Sequence, residues 1–250
     1  MKISNKHHSG FTLVEMAIVI VVISILVGGI MAGTDLIKSS KTSTVITELS
    51  SYDQAKRDFM DKYKFRPGDM PQPYLDDSFT GNAADDCSLG SLGNGVLDAD
   101  EELDLAWLQL SYADMIKDKI DFDPCTAGGR IPGTHRPVSA NDAALGYTFG
   151  NTMTIVVAGG GSAGTKGFQH YLRVGKMSAA ADNELSAGGL TVETHRNIDA
   201  KIDKPDTPFS GKYVVDEECI DAVGAYEADS TDAICTGNLV EIEEQDSTKF

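Results

Sequence analysis

Apolar and polar residues are distributed unevenly along this chain, and one long apolar run lies near its beginning. From Phe11 to Ala32 the only ionisable side chain is that of Glu15. The run exceeds the roughly 20 apolar residues that an α-helix needs to cross the hydrocarbon core of a bilayer. It therefore predicts a membrane-spanning helix with a single carboxylate about one turn from its start.

Large apolar side chains recur at helical spacing after this run, where polar residues become common. The next proline is Pro67, so nothing before it forces the helix to stop. This pattern predicts one continuous helix from Phe11 to Lys64, weakened at Gly28, Gly29 and Gly33, whose part from 34 to 64 is amphipathic. The apolar stripe consists of Val45, Leu49, Tyr52, Phe59 and Tyr63.

The remaining pattern predicts a mixed domain over 65–250. Residues 65–71 break the helix, 76–102 read as an acidic loop, and Asp104–Lys117 read as a second helix with Trp107 beside its apolar side. After this helix the pattern predicts a loop over 124–146 and strands over Tyr147–Val157 and Gly167–Val174. It then predicts a short helix around Arg196–Ile202, an edge strand at Tyr213–Val215 and a disordered tail from Gln245.

The residues before the apolar run form a short polar leader with Lys2 and Lys6. An ordinary secretory signal places its apolar region before the cleavage site. Here the small residue Gly10 precedes the apolar region, so cleavage after it would leave that region on the mature chain, with Phe11 at its N-terminus. The two lysines predict a cytoplasmic N-terminus, and the buried carboxylate of Glu15 needs a cationic partner.

The residues Gly10-Phe-Thr-Leu-Val-Glu15 and the apolar helix after them resemble the prepilin N-terminal motif of type IV pilins and type II secretion pseudopilins. The resemblance implies an α+β, pilin-like fold, in which a long N-terminal helix packs on a globular head with a small antiparallel sheet. It also implies cleavage between Gly10 and Phe11 by a prepilin peptidase, N-methylation of Phe11, and filament assembly through Glu15. The amine of Phe11 in one subunit would then pair with Glu15 of its neighbour.

Composition limits the function of the predicted head. The formal net charge is −17, so nucleic-acid contact is not predicted, because phosphate binding needs lysine and arginine. Four cysteines beyond the apolar run, Cys87, Cys125, Cys219 and Cys235, fit an oxidising compartment. They allow three pairings, of which Cys87–Cys125 with Cys219–Cys235 is the sequence-local one. A C-terminal disulfide loop of this kind is found in many pilins.

Calcium is the only cofactor for which the sequence offers candidate ligands. The stretch from Asn94 to Glu102 contains Asn94, Asp98, Asp100 and Glu102, whose oxygens suit this ion. It lacks the full twelve-residue loop pattern, and acidic residues before a helix also favour the helix dipole. A second cluster, Asp216 to Glu218 with Asp221, lies where many pseudopilins hold calcium. No catalytic constellation is evident around Ser162, His135, His170 or His195, and we predict no enzymatic activity.

The sequence thus predicts a structural subunit of a type IV pilus-like filament. The expected partners are other copies of the chain, a prepilin peptidase and an inner-membrane assembly platform, and the expected location is the inner membrane, then the periplasm or a surface pilus. The alternatives are a type II secretion pseudopilin, a minor pilin whose head binds a surface or ligand, and a membrane-anchored enzyme. Glu15 argues against the tip pseudopilin that lacks this acid, and the large head favours a pilus subunit or minor pilin.

Overall fold

The computed structural model describes nine segments of the chain. The described residues are 12–71, 93–97, 100–122, 133–157, 164–176, 185, 189–203, 212–215 and 237–240. The chain divides into two compact units, Met1–Lys41 and Thr42–Phe250. The fold class is α+β, as predicted.

The first helix, α1, spans Leu13–Tyr63 without interruption. The prediction of one long helix is confirmed, and none of the glycines at 28, 29 and 33 breaks it. The helix ends where the sequence predicted a break: Lys64 adopts a positive φ of 66° and Gly68 a φ of 90°. At Gly68 a Cβ atom would collide with the backbone oxygen of Glu102, so the close approach and the backbone angle both require glycine.

The second half of α1 buries the predicted apolar stripe in the second unit. Val45, Leu49, Tyr52 and Phe59 are each at most 2% exposed, and Tyr63 packs at the edge of the same core. Glu48 lies on this buried face as well, since it follows Val45 by three residues and precedes Tyr52 by four. The face that enters the core is therefore not purely apolar.

The second helix, α2, spans Asp100–Tyr112, so the predicted range of Asp104–Lys117 is wrong at both ends. Acidic residues at 100–102, which we assigned to a loop, suit the first turn of a helix because they interact favourably with its dipole. The helix stops early because Asp114 takes a left-handed φ of 54°. The amide of Asp114 donates to the Ser111 carbonyl and that of Met115 donates to the Leu110 carbonyl, a Schellman C-cap.

Five antiparallel strands form one sheet in the order β1-β2-β3-β5-β4. The strands are β1 (Val138–Ser139), β2 (Asp142–Val157), β3 (Gly164–Lys176), β4 (Tyr213–Val215) and β5 (Gly237–Val240). Tyr147 pairs with Val174 and Phe149 with Leu172. These four side chains share one face of the sheet and enter the core.

The strand predictions are correct in the middle of the sheet and incomplete at its ends. The strands predicted at Tyr147–Val157 and Gly167–Val174 lie within β2 and β3, and β4 is an edge strand as expected. The predicted loop over 124–146 is wrong for β1 and for the start of β2, because Val138 pairs with Gly146. We did not predict β5, whose four residues give too short a pattern to identify.

The third helix, α3, spans Val192–Ile202 and confirms the short helix that the sequence predicted. Thr191 is its N-cap, and the threonine hydroxyl accepts a hydrogen bond from the Thr194 amide at 3.3 Å. His195 on the buried face of α3 is hydrogen-bonded through Nδ1 to the Tyr213 hydroxyl of β4 at 2.7 Å. This contact attaches α3 to the edge of the sheet.

Aromatic rings connect α1, α2 and β2 at the centre of the second unit. Tyr52 contacts Trp107 edge to face, with the ring centroids 5.2 Å apart, and Tyr147 at 5.1 Å. Trp107 in turn stacks on Phe149 with the centroids 4.3 Å apart. Burial of these large side chains is the main favourable term for a core of this kind.

Candidate functional site

The carboxylate of Glu15 is held in the first turn of α1 by the residue that precedes the helix. Its Oε2 accepts hydrogen bonds from the Thr12 amide and the Thr12 hydroxyl, both at 2.8 Å. The Thr12 hydroxyl in return accepts from the Glu15 amide at 3.2 Å. This reciprocal arrangement is a capping box, in which two amide groups left over at the helix start find acceptors.

Thr12 is a partner of Glu15 that our sequence interpretation missed, although the signal was present. A threonine followed three residues later by glutamate, just before an apolar run, is the sequence pattern of a capping box. Both Thr12 donors contact the same carboxylate oxygen, Oε2. Capping therefore leaves the second oxygen, Oε1, outside the Thr12 contact.

The first part of α1 presents an apolar surface that no described residue covers. An 18-residue window of the helix has a mean hydropathy of 2.8, and none of it is buried. Such a length and composition suffice to cross a membrane. The large apolar side chains that are exposed here are Leu13, Val14, Met16, Ile18, Val19, Ile20, Val21, Val22, Ile23, Ile25, Leu26, Val27, Ile30, Met31, Leu36 and Ile37.

Several predicted site residues fall outside the described part of the chain. Gly10 and Phe11, the predicted cleavage and methylation positions, precede it. All four cysteines also lie outside it, so the disulfide pairing stays a prediction. The second acidic cluster, at 216–221, is likewise not described.

The residues of the predicted calcium site are only partly described. Asn94 is exposed, and its Oδ1 accepts a hydrogen bond from the Val96 amide at 2.8 Å. Asp98 is not described, Asp100 begins α2, and Glu102 is buried in that helix. Among the described residues, no group of three or more histidine, cysteine, aspartate or glutamate side chains is placed to hold a metal ion. Calcium binding at these positions stays a prediction.

Asp69, which we had not singled out, organises the turn that contains Asn94. This aspartate is 1% exposed and follows the break at the end of α1. Its Oδ1 accepts from the Asn94 amide at 3.2 Å, and its Oδ2 accepts from the Gly95 amide at 2.6 Å. A carboxylate that accepts backbone amides makes strong, charge-assisted hydrogen bonds.

A buried carboxylate on α1 fixes this helix to the sheet. Glu48 is 5% exposed, and its Oε2 accepts a hydrogen bond from the Tyr147 hydroxyl at 2.5 Å. Its Oε1 accepts from the Ala140 amide, in the connection between β1 and β2, at 2.9 Å. Burial raises the pKa of Tyr147 well above its usual range, and the hydrogen bond to Glu48 raises this pKa further. Tyr147 is therefore the proton donor of the pair.

The histidines have structural neighbours in the described part of the chain. His135 lies against Phe122, with the ring centroids 4.6 Å apart, and His195 is bonded to Tyr213. His170 is 7% exposed in β3 and has a positive φ of 58°. Ser162 is not described. The described contacts of His135 and His195 are thus with aromatic side chains.

Comparison with known proteins finds one family model that matches the chain. It is the prokaryotic N-terminal methylation motif, and it covers residues 5–31. This motif is the hallmark of type IV pilins and pseudopilins, which are structural subunits. Comparisons with curated proteins and with solved structures gave no significant match. The motif includes Gly10, Phe11, Thr12 and Glu15 and most of the exposed apolar surface of α1.

Proposed function

We propose that this chain, which carries the N-terminal methylation motif of pilin-like proteins, is a structural subunit of a type IV pilus-like filament. In this proposal a prepilin peptidase cleaves between Gly10 and Phe11, the new amine is methylated, and copies of the chain assemble through the first part of α1. The observation that carries the proposal is the exposed apolar surface of α1, with Glu15 in its first turn and within the matched motif.

The exposed apolar surface of α1 would be covered in turn by membrane lipid and by other copies of the chain. Contiguous apolar surfaces of this extent are rare on soluble monomers, and exposed apolar side chains surround this part of α1, so the surface needs a cover. Before assembly the lipid of the inner membrane would supply it, because the helix is long enough to span the bilayer. After extraction the same surface would need to pack on that of other copies. Gly28, Gly29 and Gly33 have open space around them in the single chain, and small residues allow helix backbones to approach closely.

The capping box clarifies what Glu15 can do in a filament. Thr12 satisfies one oxygen of the carboxylate in the single chain, while the negative charge is not neutralised by a hydroxyl and an amide. A charge surrounded by apolar helices requires a counter-charge. The methylated amine of Phe11 in a neighbouring copy is the cation that the motif supplies, so pairing with Glu15 would fix the register between subunits.

The same motif occurs in pseudopilins of type II secretion, so this assignment is the second candidate. A pilus and a pseudopilus differ in the location of the filament: a pilus extends outward from the cell surface, while a pseudopilus stays in the periplasm. A head that recognises a surface or ligand, as in a minor pilin, is compatible with either position. The filament proposal itself rests on α1 and does not depend on this choice.

The test compares wild type with Glu15→Ala and Glu15→Gln in cells that express the chain. Glutamine also serves as the third helical residue of a capping box, so Glu15→Gln removes the charge and keeps the cap. We expect wild type to begin at N-methyl-Phe11 by intact mass and to appear in sheared filaments or in a periplasmic filament fraction. We expect both variants to be cleaved and to remain in the membrane.

Two results would contradict the proposal. A wild-type chain that still begins at Met1 in a host with an active prepilin peptidase would exclude processing. Normal filament yield from Glu15→Gln would show that the charge of Glu15 has no part in assembly. Surface filaments would identify a pilus subunit, and filaments found only in the periplasm would identify a pseudopilin.

A further inference from the structure

The turn that Asp69 holds by hydrogen bonds contains Asn94-Gly95, the only Asn-Gly pair in the sequence. An asparagine followed by glycine is prone to spontaneous deamidation, because glycine has no side chain to hinder its own backbone nitrogen. That nitrogen is the nucleophile of the reaction. Asn94 is exposed, so water reaches it.

Deamidation of Asn94 needs no reactant other than water. The Gly95 nitrogen loses its proton and attacks Cγ of Asn94, so that a new C–N bond closes a five-membered succinimide. The bond between Cγ and Nδ2 breaks, and the amide group leaves as ammonia after taking up a proton. Water then opens the ring at one of its two carbonyls, which gives aspartate or isoaspartate at position 94.

Hydrogen bonds hold the groups of Asn94 and Gly95 that take part in this reaction. The Gly95 N–H donates to Oδ2 of the buried Asp69 at 2.6 Å, and the Asn94 N–H donates to Oδ1 of the same carboxylate at 3.2 Å. The side-chain carbonyl of Asn94 accepts from the Val96 amide at 2.8 Å. The nucleophile and the electrophilic side chain are thus each held by a separate hydrogen bond.

We propose that Asn94 is a deamidation site and that Asp69 keeps it nearly unreactive in the folded protein. The carboxylate stabilises the protonated form of the Gly95 amide through a charge-assisted hydrogen bond. Its negative charge also opposes the amide anion that must form before attack. Asn94 deamidates when this contact opens, so the modification reports local opening of the turn between the end of α1 and the start of α2.

The experiment follows deamidation in the full chain, purified in detergent micelles and incubated at neutral pH. Peptide mass spectrometry and isoaspartate methyltransferase labelling measure conversion of Asn94. Wild type is compared, folded and in denaturant, with Asp69→Asn and Asp69→Ala. Asp114→Asn is the matched control, because it alters an exposed aspartate of the head whose carboxylate contacts Lys119 rather than this turn.

We expect folded wild type to deamidate about tenfold or more slowly than the denatured chain, the factor that a hydrogen bond to a charged group represents. Both Asp69 variants should approach the denatured rate while Trp107 fluorescence shows a folded head, and Asp114→Asn should stay as slow as wild type. If folded wild type reacts as fast as the denatured chain, or if the folded Asp69 variants react as slowly as wild type, the proposal is overturned.

A second measurement tests the proposal without any substitution. Hydrogen exchange of the Gly95 amide in folded wild type should be slowed relative to the denatured chain, because this amide donates to Asp69. Exchange at the unprotected rate would overturn the proposal even if the Asp69 variants fail to fold.

Discussion

Thr12 and Glu15 cap each other at the start of α1. The threonine hydroxyl accepts from the Glu15 amide, and the Glu15 carboxylate accepts from the amide and hydroxyl of Thr12. The acid of the methylation motif therefore has a role within its own chain, in addition to the proposed one between chains. The two roles use different properties of the side chain, since capping needs an acceptor oxygen and docking needs a charge.

Thr12→Val should separate these two roles, because it removes the cap and keeps the charge, whereas Glu15→Gln removes the charge and keeps the cap. Valine is close in shape to threonine but cannot accept from the Glu15 amide, so the first turn of α1 should fray while the charge of Glu15 remains. We expect filament yield to stay close to wild type, whereas Glu15→Gln should lower it by about tenfold or more through loss of the ion pair.

The measurement is the amount of processed chain in the sheared fraction, with Thr12→Ser as the conservative control. Serine retains the hydroxyl and should behave as wild type. Loss of assembly in Thr12→Val equal to that in Glu15→Gln would instead assign the importance of Glu15 to capping.

The contact between Glu48 and Tyr147 should contribute strongly to the stability of the head. Tyr147→Phe removes the hydroxyl and leaves a buried carboxylate oxygen without that donor, so the free energy of unfolding should fall by about 1.5–3 kcal/mol. Glu48→Gln keeps one acceptor oxygen for the Ala140 amide, and its NH2 group can donate to the Tyr147 hydroxyl oxygen, so this variant should be milder. Urea unfolding of the full chain in micelles is measured by fluorescence of Trp107, the only tryptophan, which is fully buried.

A double-mutant cycle supplies the control for this pair. The combined variant Glu48→Gln with Tyr147→Phe should be less destabilised than the sum of the two single variants, because the residues contact each other. Strict additivity would show that the hydrogen bond does not couple the helix to the sheet.

Alkaline pH should destabilise the folded head through its buried tyrosines. Burial raises the pKa values of Tyr52 and Tyr147 above the ordinary value of 10.0, and the charges of Asp118 and Glu48 raise them further. The folded chain thus retains protons that the unfolded chain loses above pH 10. The stability from each raised pKa is complete below pH 10, and it decreases by about 1.4 kcal/mol per pH unit above that point.

The free energy of unfolding of wild type is measured from about pH 9 to about pH 11, on either side of the ordinary tyrosine pKa. Tyr147→Phe lacks one of the two groups, so its free energy of unfolding should fall less steeply with pH than that of wild type. An equal slope in the two proteins would mean that Tyr147 is ionised equally in the folded and unfolded chains.

Loss of one partner of the ion pair between Arg136 and Asp104 should destabilise the head, whereas replacement of both partners by apolar residues should not. Arg136 is 1% exposed, and its Nε lies 3.1 Å from the Asp104 carboxylate on α2. Asp104→Leu alone leaves a buried guanidinium without this counter-charge and should lower the free energy of unfolding by about 3–5 kcal/mol.

The double variant Asp104→Leu with Arg136→Met removes both charges from the interior. It should recover most of the lost stability, because an apolar pair of similar volume often replaces a buried ion pair at little cost. Urea unfolding compares both variants with wild type, and a double variant as unstable as Asp104→Leu would contradict this explanation.

Most of α1 and the central strands could be predicted because their signals are local. The apolar stripe of α1 and the absence of proline before Pro67 define a helix without reference to other elements. The start of β2 depends instead on pairing with β1, and β5 depends on pairing with β3 and β4. The pairings of β5 join residues that are distant in the sequence, and β1 has only two residues, so short patterns at these positions do not identify the strands.

The residues of the candidate site could be predicted where a local sequence motif marks them. The spacing from Gly10 to Glu15 identifies the residues that we propose for processing and assembly, and the threonine three residues before Glu15 already indicates a cap. Glu48 also had a signal, since it is an acid at helical spacing within the apolar stripe of α1. The role of Asp69 had none, because its partners Asn94 and Gly95 approach it only through the fold.

Gly150 in β2 should be sensitive to substitution because the ring of Tyr171 occupies the space beside it. The two residues pair across β2 and β3, and a Cβ atom at Gly150 would overlap this ring. An aromatic side chain that covers a glycine on a neighbouring strand protects the backbone there. Gly150→Ala should therefore lower the free energy of unfolding by about 1–3 kcal/mol, as overpacking does, in the Trp107 urea assay. Gly29→Ala is the control, since its Cβ meets nothing within 4 Å. Adding Tyr171→Ala to Gly150→Ala should cost less than Tyr171→Ala costs in wild type, because in the Gly150→Ala background the loss of the ring also relieves the clash. Equal costs would show that the ring does not restrict position 150.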